Sequence, residues 1–142
     1  GHTTTYTIDP TALGGAALSN TRKLFDTAYD GMATATAAER AGFQGALWEI
    51  VNDSDRGLGF GNGRFKLTGG TAVLAAAQGF IGGLDGPVTA SWDLTFLTSA
   101  TRQDLVTATR SAAAIPLPAA GWMLTAGLAA LAALRGRRRS GA

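Results

Sequence analysis

Side chains able to do chemistry are few and unevenly spread along the 142 residues. There is no cysteine, which removes disulfides, iron–sulfur clusters, thiolate zinc and a cysteine nucleophile. His2 is the only histidine, so a Ser-His-Asp triad would require the amino terminus to fold back into a site. Asp53-Ser54-Asp55-Arg56-Gly57 has the alternating oxygen ligands and turn glycine of a calcium loop but lacks the later bidentate glutamate of an EF-hand. Asp53 and Asp55 are the candidate ligands, with a solvated turn as the alternative. Asp26 and Asp30 lie one helical turn apart, the spacing of a solvated face or of an acid–base pair. The glycine-rich stretch Gly57–Gly63 lacks the Lys-Ser/Thr of a phosphate-cradling loop. Phe43, Trp48, Trp92 and Phe96 are spaced like core aromatics, and an exposed Trp92 would be able to stack on a sugar ring. These residues point to no reaction, and no cofactor is implied.

The elements that would position them read as α+β: a small β-sandwich or antiparallel sheet with two to three packed helices, plus one C-terminal transmembrane helix. The expected organisation is a globular domain over 1–110, a linker over 111–114 and a C-terminal segment over 115–142. Tyr6-Thr7-Ile8 within Thr3–Asp9 has the composition of an opening strand, followed by an Asp9-Pro10 loop. Ser19 or Asn20 is expected to cap a helix over Arg22–Asp30 that ends at Gly31. Thr36 and Glu39 have capping-box spacing ahead of a helix over Ala37–Val51, with Phe43, Leu47, Ile50 and Val51 on its apolar face. A turn-rich stretch with a short strand over Arg64–Leu67 leads to a third helix, Ala72–Ile81, capped by Thr71 and stopped by Gly82-Gly83. From Val88 to Phe96 apolar and polar residues alternate, a strand with one wet face, and Gln103–Thr109 is its expected hairpin partner.

Charge separates the body from the end of the chain. Residues 1–114 carry eight Lys/Arg against ten Asp/Glu, a net of −2, and four further arginines produce the overall +2. The body therefore has no basic footprint for nucleic acid. From Ile115 to Leu134 there are 20 residues without a charge. At ~1.5 Å per residue, a helix of that length just crosses a hydrocarbon core of ~30 Å. Arg135, Arg137, Arg138 and Arg139 form a basic stop that resists translocation, which places the body outside the cytoplasm. Pro116 and Pro118 keep Ile115–Leu117 extended, within reach of a protease.

Ile115-Pro116-Leu117-Pro118-Ala119, the apolar run and the arginine cluster together resemble a PEP-CTERM sorting signal of the VPLPA-CTERM variant, with Ile115 in place of the usual valine. The resemblance covers the tail alone. It implies export in a Gram-negative bacterium, processing at the motif by an exosortase, and a structural or adhesive role at the cell surface or in the extracellular matrix. Exopolysaccharide or self-assembly would supply the partner. An export signal is then expected ahead of the body, and since residues 1–20 hold none, Gly1 reads as a processed or engineered start. The alternative is a single-span accessory subunit of a membrane complex that keeps the tail.

A second resemblance lies in the body. Tyr6-Thr7-Ile8 and Phe43-Gln44-Gly45-Ala46-Leu47-Trp48 resemble the strand and helix motifs of bacterial surface thioester domains, in which a strand cysteine condenses with the helix glutamine. Thr7 stands at the cysteine's place, so no thioester can form. What remains is a scaffold without the bond or an adhesin with a Thr7–Gln44 ester, against the plain reading of Gln44 as a helix residue beside a core Trp48.

Overall fold

The computed structural model describes residues 4–61 and 63–112. The chain divides at Ser111/Ala112, and all regular elements described below belong to the first unit. The expected sorting motif, transmembrane helix and arginine stop lie outside the described residues. No helix among the described residues is long and apolar enough to cross a membrane.

Strands β1 (Thr7–Ile8), β2 (Trp92–Thr98) and β3 (Leu105–Arg110) form one antiparallel sheet in the order β1-β2-β3. The fold is thus α+β with a single sheet among the described residues, the sheet alternative and not the sandwich. In the β2–β3 hairpin Trp92 faces Arg110 and Leu97 faces Leu105, while Thr7 and Ile8 face Thr98 and Leu97. Alternation sends Trp92, Leu94 and the buried Phe96 to one side, where they meet the helices together with Val106 and Ala108.

Three helices share the core on that side: α1 (Gly15–Ala28), which packs on β2, then α2 (Ala37–Asp53) and α3 (Thr71–Gly82), with a 3₁₀ turn over Tyr29–Ala33 after α1. The core is Leu24 and Phe25 of α1, Phe43, Ala46, Leu47 and Ile50 of α2, and Leu84 beyond α3. Its aromatic rings meet edge to face, Phe25 on Phe43 at 5.4 Å and Phe43 on Phe80 at 5.8 Å. Each buried Phe or Leu contributes about 2 kcal/mol by removal from water.

Helix α2 starts as its capping box requires. Glu39 N donates to Thr36 Oγ1 at 3.2 Å, and Thr36 N donates to Glu39 Oε2 at 2.7 Å. Helix α1 begins at Gly15 instead of following Ser19 or Asn20, because the helix-favouring Ala16-Ala17-Leu18 extend it backwards. Gly31 does not stop it, as the chain tightens into the 3₁₀ turn and runs on to Ala33. Gly70 and not Thr71 caps α3. Val51 is 40% exposed, since the inward face of α2 turns through Ile50 to two buried acids, Glu49 and Asp53.

Glycine sets the spacing of α2 and α3. A Cβ on Gly42 would lie 2.6 Å from Ala76 Cβ and 2.9 Å from the Ala77 amide nitrogen, so the helices touch through a missing side chain. The expected strand over Arg64–Leu67 does not form. The first two of its backbone amides, Arg64 and Phe65, are taken by Asp53 on α2, leaving them unavailable to a sheet. Nor does β2 begin at Val88, because Asp26 captures three consecutive amides there: Thr89 and Ala90 donate to Oδ2 at 2.7 and 3.0 Å, and Ser91 to Oδ1 at 2.9 Å. Ala90 takes a φ of 54° to aim them at one carboxylate.

Candidate functional site

A groove of about 450 Å³ lies between α2 and the turn end of the β2–β3 hairpin. Arg40, Gln44, Trp48 and Val51 recur at helical spacing along one wall. At ~1.5 Å per residue that wall is ~16 Å long. Leu97, Thr98 and Gln103–Val106 make the opposite wall, and Ala12 and Leu13 close one side. Phe25, Phe43, Leu47 and Phe96 form an apolar floor.

The rim is polar and carries one charge of each sign. Arg40 is oriented by Nε and Nη2, which donate to Ala35 O at 3.0 and 2.5 Å, and it forms no ion pair among the described residues. Asp104 accepts from Ser99 N at 2.9 Å through Oδ1, closing the hairpin turn, and likewise has no cationic partner there. Gln44 and Gln103 lend side chains that make no hydrogen bond among the described residues. The Gln103 carbonyl accepts from Tyr6 Oη at 3.4 Å, which ties the segment before β1 to the hairpin. Trp48 lies nearly parallel to Phe65, with ring centroids 6.4 Å apart and 22° between planes.

Thr7 lies opposite Thr98, and residues directly opposed in an antiparallel pair share a face of the sheet. Thr98 continues the alternation of Leu94 and Phe96, so Thr7 belongs to the side of the sheet that faces the helices. Gln44 is an exposed residue of the groove wall. Thr7 is exposed and absent from the groove lining, and no hydrogen bond joins the two side chains.

The two expected calcium ligands are engaged elsewhere. Asp53 accepts from Arg64 N through Oδ1 and from Phe65 N through Oδ2, both at 2.8 Å. The Arg64 amide, then the Phe65 amide, hold its carboxyl below the ordinary carboxylate range. Asp55 pairs with Arg64 at 3.5 Å and Arg56 at 3.9 Å. Among the described residues no cluster of three His, Cys, Asp or Glu side chains is placed to hold a metal ion. Asp53 works with Glu49, one turn earlier, whose Oε1 accepts from Gly59 N at 2.7 Å. The pair fastens the segment after α2 onto the helix, and Gly63 packs so closely on the Asp53 carboxylate that a Cβ has no room.

Asp26 and Asp30 also have separate tasks. Asp26 binds the three amides ahead of β2, while Asp30 pairs with Arg110, whose guanidinium lies 4.7 Å above Trp92. With Tyr29 packed edge-on at 4.9 Å, Trp92 is held between neighbours and is not a free platform for a sugar.

Sequence reading missed the rim residues Arg40, Gln103 and Asp104 and the anchoring roles of Glu49 and Asp53. The available signal for the latter was two acids at i and i+4 on a helix followed by a glycine-rich segment. No protein-family model, curated protein or solved structure matches the chain.

Proposed function

We propose that this chain is an exported structural or adhesive domain delivered to the bacterial cell surface or matrix on a cleavable sorting tail. The observation that carries the reading is the order of Ile115-Pro116-Leu117-Pro118-Ala119, an uncharged run to Leu134, and four arginines within the next five residues. Uncharged length, extended motif and basic stop each have a job in a membrane-embedded substrate of an exosortase. The body's lack of cysteine and its slight negative charge fit a domain that works outside the cell without disulfides or nucleic acid. A structural role agrees with Asp26, Asp30 and Asp53, whose carboxylates serve backbone amides and an arginine.

Replacing Pro116 and Pro118 with alanine in the native host tests the reading. The variant should accumulate as a full-length, membrane-bound species while the parent is shortened; unchanged size and release would sink it. The accessory-subunit reading draws on Gly121, Thr125 and Ala129, which recur every four residues and would give a close-packing face to a retained span. An ester is a third reading. Thr7 Oγ1 would attack the Gln44 carboxamide carbon, the C–N bond would break, and ammonia would leave with the hydroxyl proton. It draws only on the shared side of the sheet, and it requires Thr7 to enter a groove it does not line.

A further inference from the structure

We propose that the outer edge of β3 docks a second copy of this chain, the two β3 strands running antiparallel about a two-fold axis through Thr107. The inference concerns the folded body and holds whether the tail is removed or kept.

Hydrogen bonding defines the edge. Asp9 N donates to Phe96 O at 3.0 Å, so the even-numbered residues of β2 turn their backbone groups toward β1; Ser111 N donates to Ser91 O at 2.9 Å, so the odd-numbered ones turn toward β3. Leu105, Thr107 and Thr109 therefore spend their amides and carbonyls on Leu97, Thr95 and Asp93, which face them. Val106, Ala108 and Arg110 point theirs outward, where they have no backbone partner among the described residues.

The two edges of the sheet differ in protection. Strand β1 is two residues long and is followed by Asp9-Pro10, whose ring leaves no amide to donate. Strand β3 is six residues long, pairs with β2 without a bulge, and holds neither lysine nor proline. An edge of that length without such guards is open to strand addition.

The residues along the edge select their own copy. With Thr107 facing Thr107 of the second copy, Val106 faces Ala108, Leu105 faces Thr109 and Asp104 faces Arg110 across the axis. Outward-pointing backbone groups then meet outward-pointing ones, and each such pair exchanges two hydrogen bonds. Charge fits the same register. Asp104 has no cationic partner among the described residues, and Arg110 keeps donors beyond the one it gives Asp30, so an ion pair closes each end of the joined strands. Leu105, 43% exposed, gains the exposed Thr109 as a cross-strand neighbour. Centring the axis on Val106 would instead set Arg110 against Arg102, and centring it on Ala108 would leave Asp104 without a charge to meet. Because β3 pairs with itself and β1 is guarded, assembly closes at two copies.

The absence of cysteine makes disulfide trapping a clean test. Across the axis Thr107 forms a non-hydrogen-bonded pair, with Cα atoms about 4.5 Å apart, within the span of a disulfide. The two copies of Thr109 would lie about 13 Å apart along the strands. Full-length Thr107→Cys and Thr109→Cys chains in detergent micelles are treated with oxidised glutathione and resolved on a non-reducing gel. Thr107→Cys should couple at least about tenfold faster than Thr109→Cys, and mixed Leu105→Cys and Thr109→Cys chains should give the mixed dimer. Ala108→Pro, added to the Thr107→Cys chain, removes an outward amide without touching the bonds to β2 and should slow coupling at least about tenfold, with near-ultraviolet circular dichroism unchanged. Should the proline unfold the body, the comparison of cysteine positions decides alone. The proposal is overturned if neither single-cysteine chain couples, if both couple at similar rates as a dimer joined through the tail would, if Thr109→Cys is the faster, or if a folded Ala108→Pro chain couples like its parent.

Discussion

Gly42→Ala asks whether the α2–α3 contact is as close as it stands. The added methyl would sit 2.6 Å from Ala76 Cβ and 2.9 Å from the Ala77 amide nitrogen, against a carbon–carbon optimum of about 3.5–4.0 Å. Neither neighbour can swing aside, since one is a Cβ and the other backbone, so the helices must part by roughly 1 Å. Overpacking of this kind costs about 1–3 kcal/mol, while alanine in a helix interior regains about 1 kcal/mol over glycine. With both neighbours fixed, overpacking falls in the upper part of that range, about 2–3 kcal/mol, so the net expectation is a loss of about 1–2 kcal/mol, or about 4–16 °C in Tm for a body of this size. Gly45→Ala is the matched control. Its nearest neighbours would all belong to the Leu67 side chain, the methyls at 2.9 and 3.2 Å, and that side chain can change rotamer, so propensity and crowding should nearly cancel. Urea unfolding of the full chain, followed by near-ultraviolet circular dichroism, separates the two variants. A Gly42→Ala protein as stable as the parent, or one destabilised no more than Gly45→Ala, would refute the close packing.

Two further perturbations address the carboxylate anchors. Asp53, Glu39 and Asp9 are all held below their ordinary ranges by amide and hydroxyl donors: Arg64 N for Asp53, Thr36 N for Glu39 and the Thr11 hydroxyl for Asp9. Their unfolded forms protonate first as pH falls, near the reference values of about 3.9 for Asp and 4.3 for Glu. The stability they add is therefore complete above about pH 5 and declines below it, and Asp53→Asn should flatten that decline in acid titrations of the unfolding free energy. Asp26→Ala should release Thr89, Ala90 and Ser91, cost about 2 kcal/mol, and speed hydrogen exchange at those three amides while β3 amides bonded to β2 stay protected.

Where a local rule operates alone, the fold was legible. Thr36 and Glu39 announced the start of α2 because a capping box is satisfied within four residues. The β2–β3 hairpin followed from alternation, correct to within a few residues at each end. What could not be read were carboxylates spent on distant backbone. Asp26 reaches 63 residues along the chain to Thr89, and Asp53 reaches 11 to Arg64, and nothing beside either residue in sequence marks it as a backbone anchor. These bonds end the expected strands at Val88 and Arg64, so the strand errors and the missed anchors have one cause. The groove was only half visible. Gln44 was singled out, but the hairpin residues that face it, Gln103 and Asp104, gain meaning only when the β2–β3 turn folds beside α2.

Whether the body is separated from its tail can be read from the intact mass of the protein purified from its own cells. A carboxyl terminus between Pro116 and Ala119 is expected if the tail is a sorting signal, with any additional loss of one ammonia pointing to an ester in the body. A mass that runs through Ala142 would contradict it and make the span a retained part of a membrane assembly.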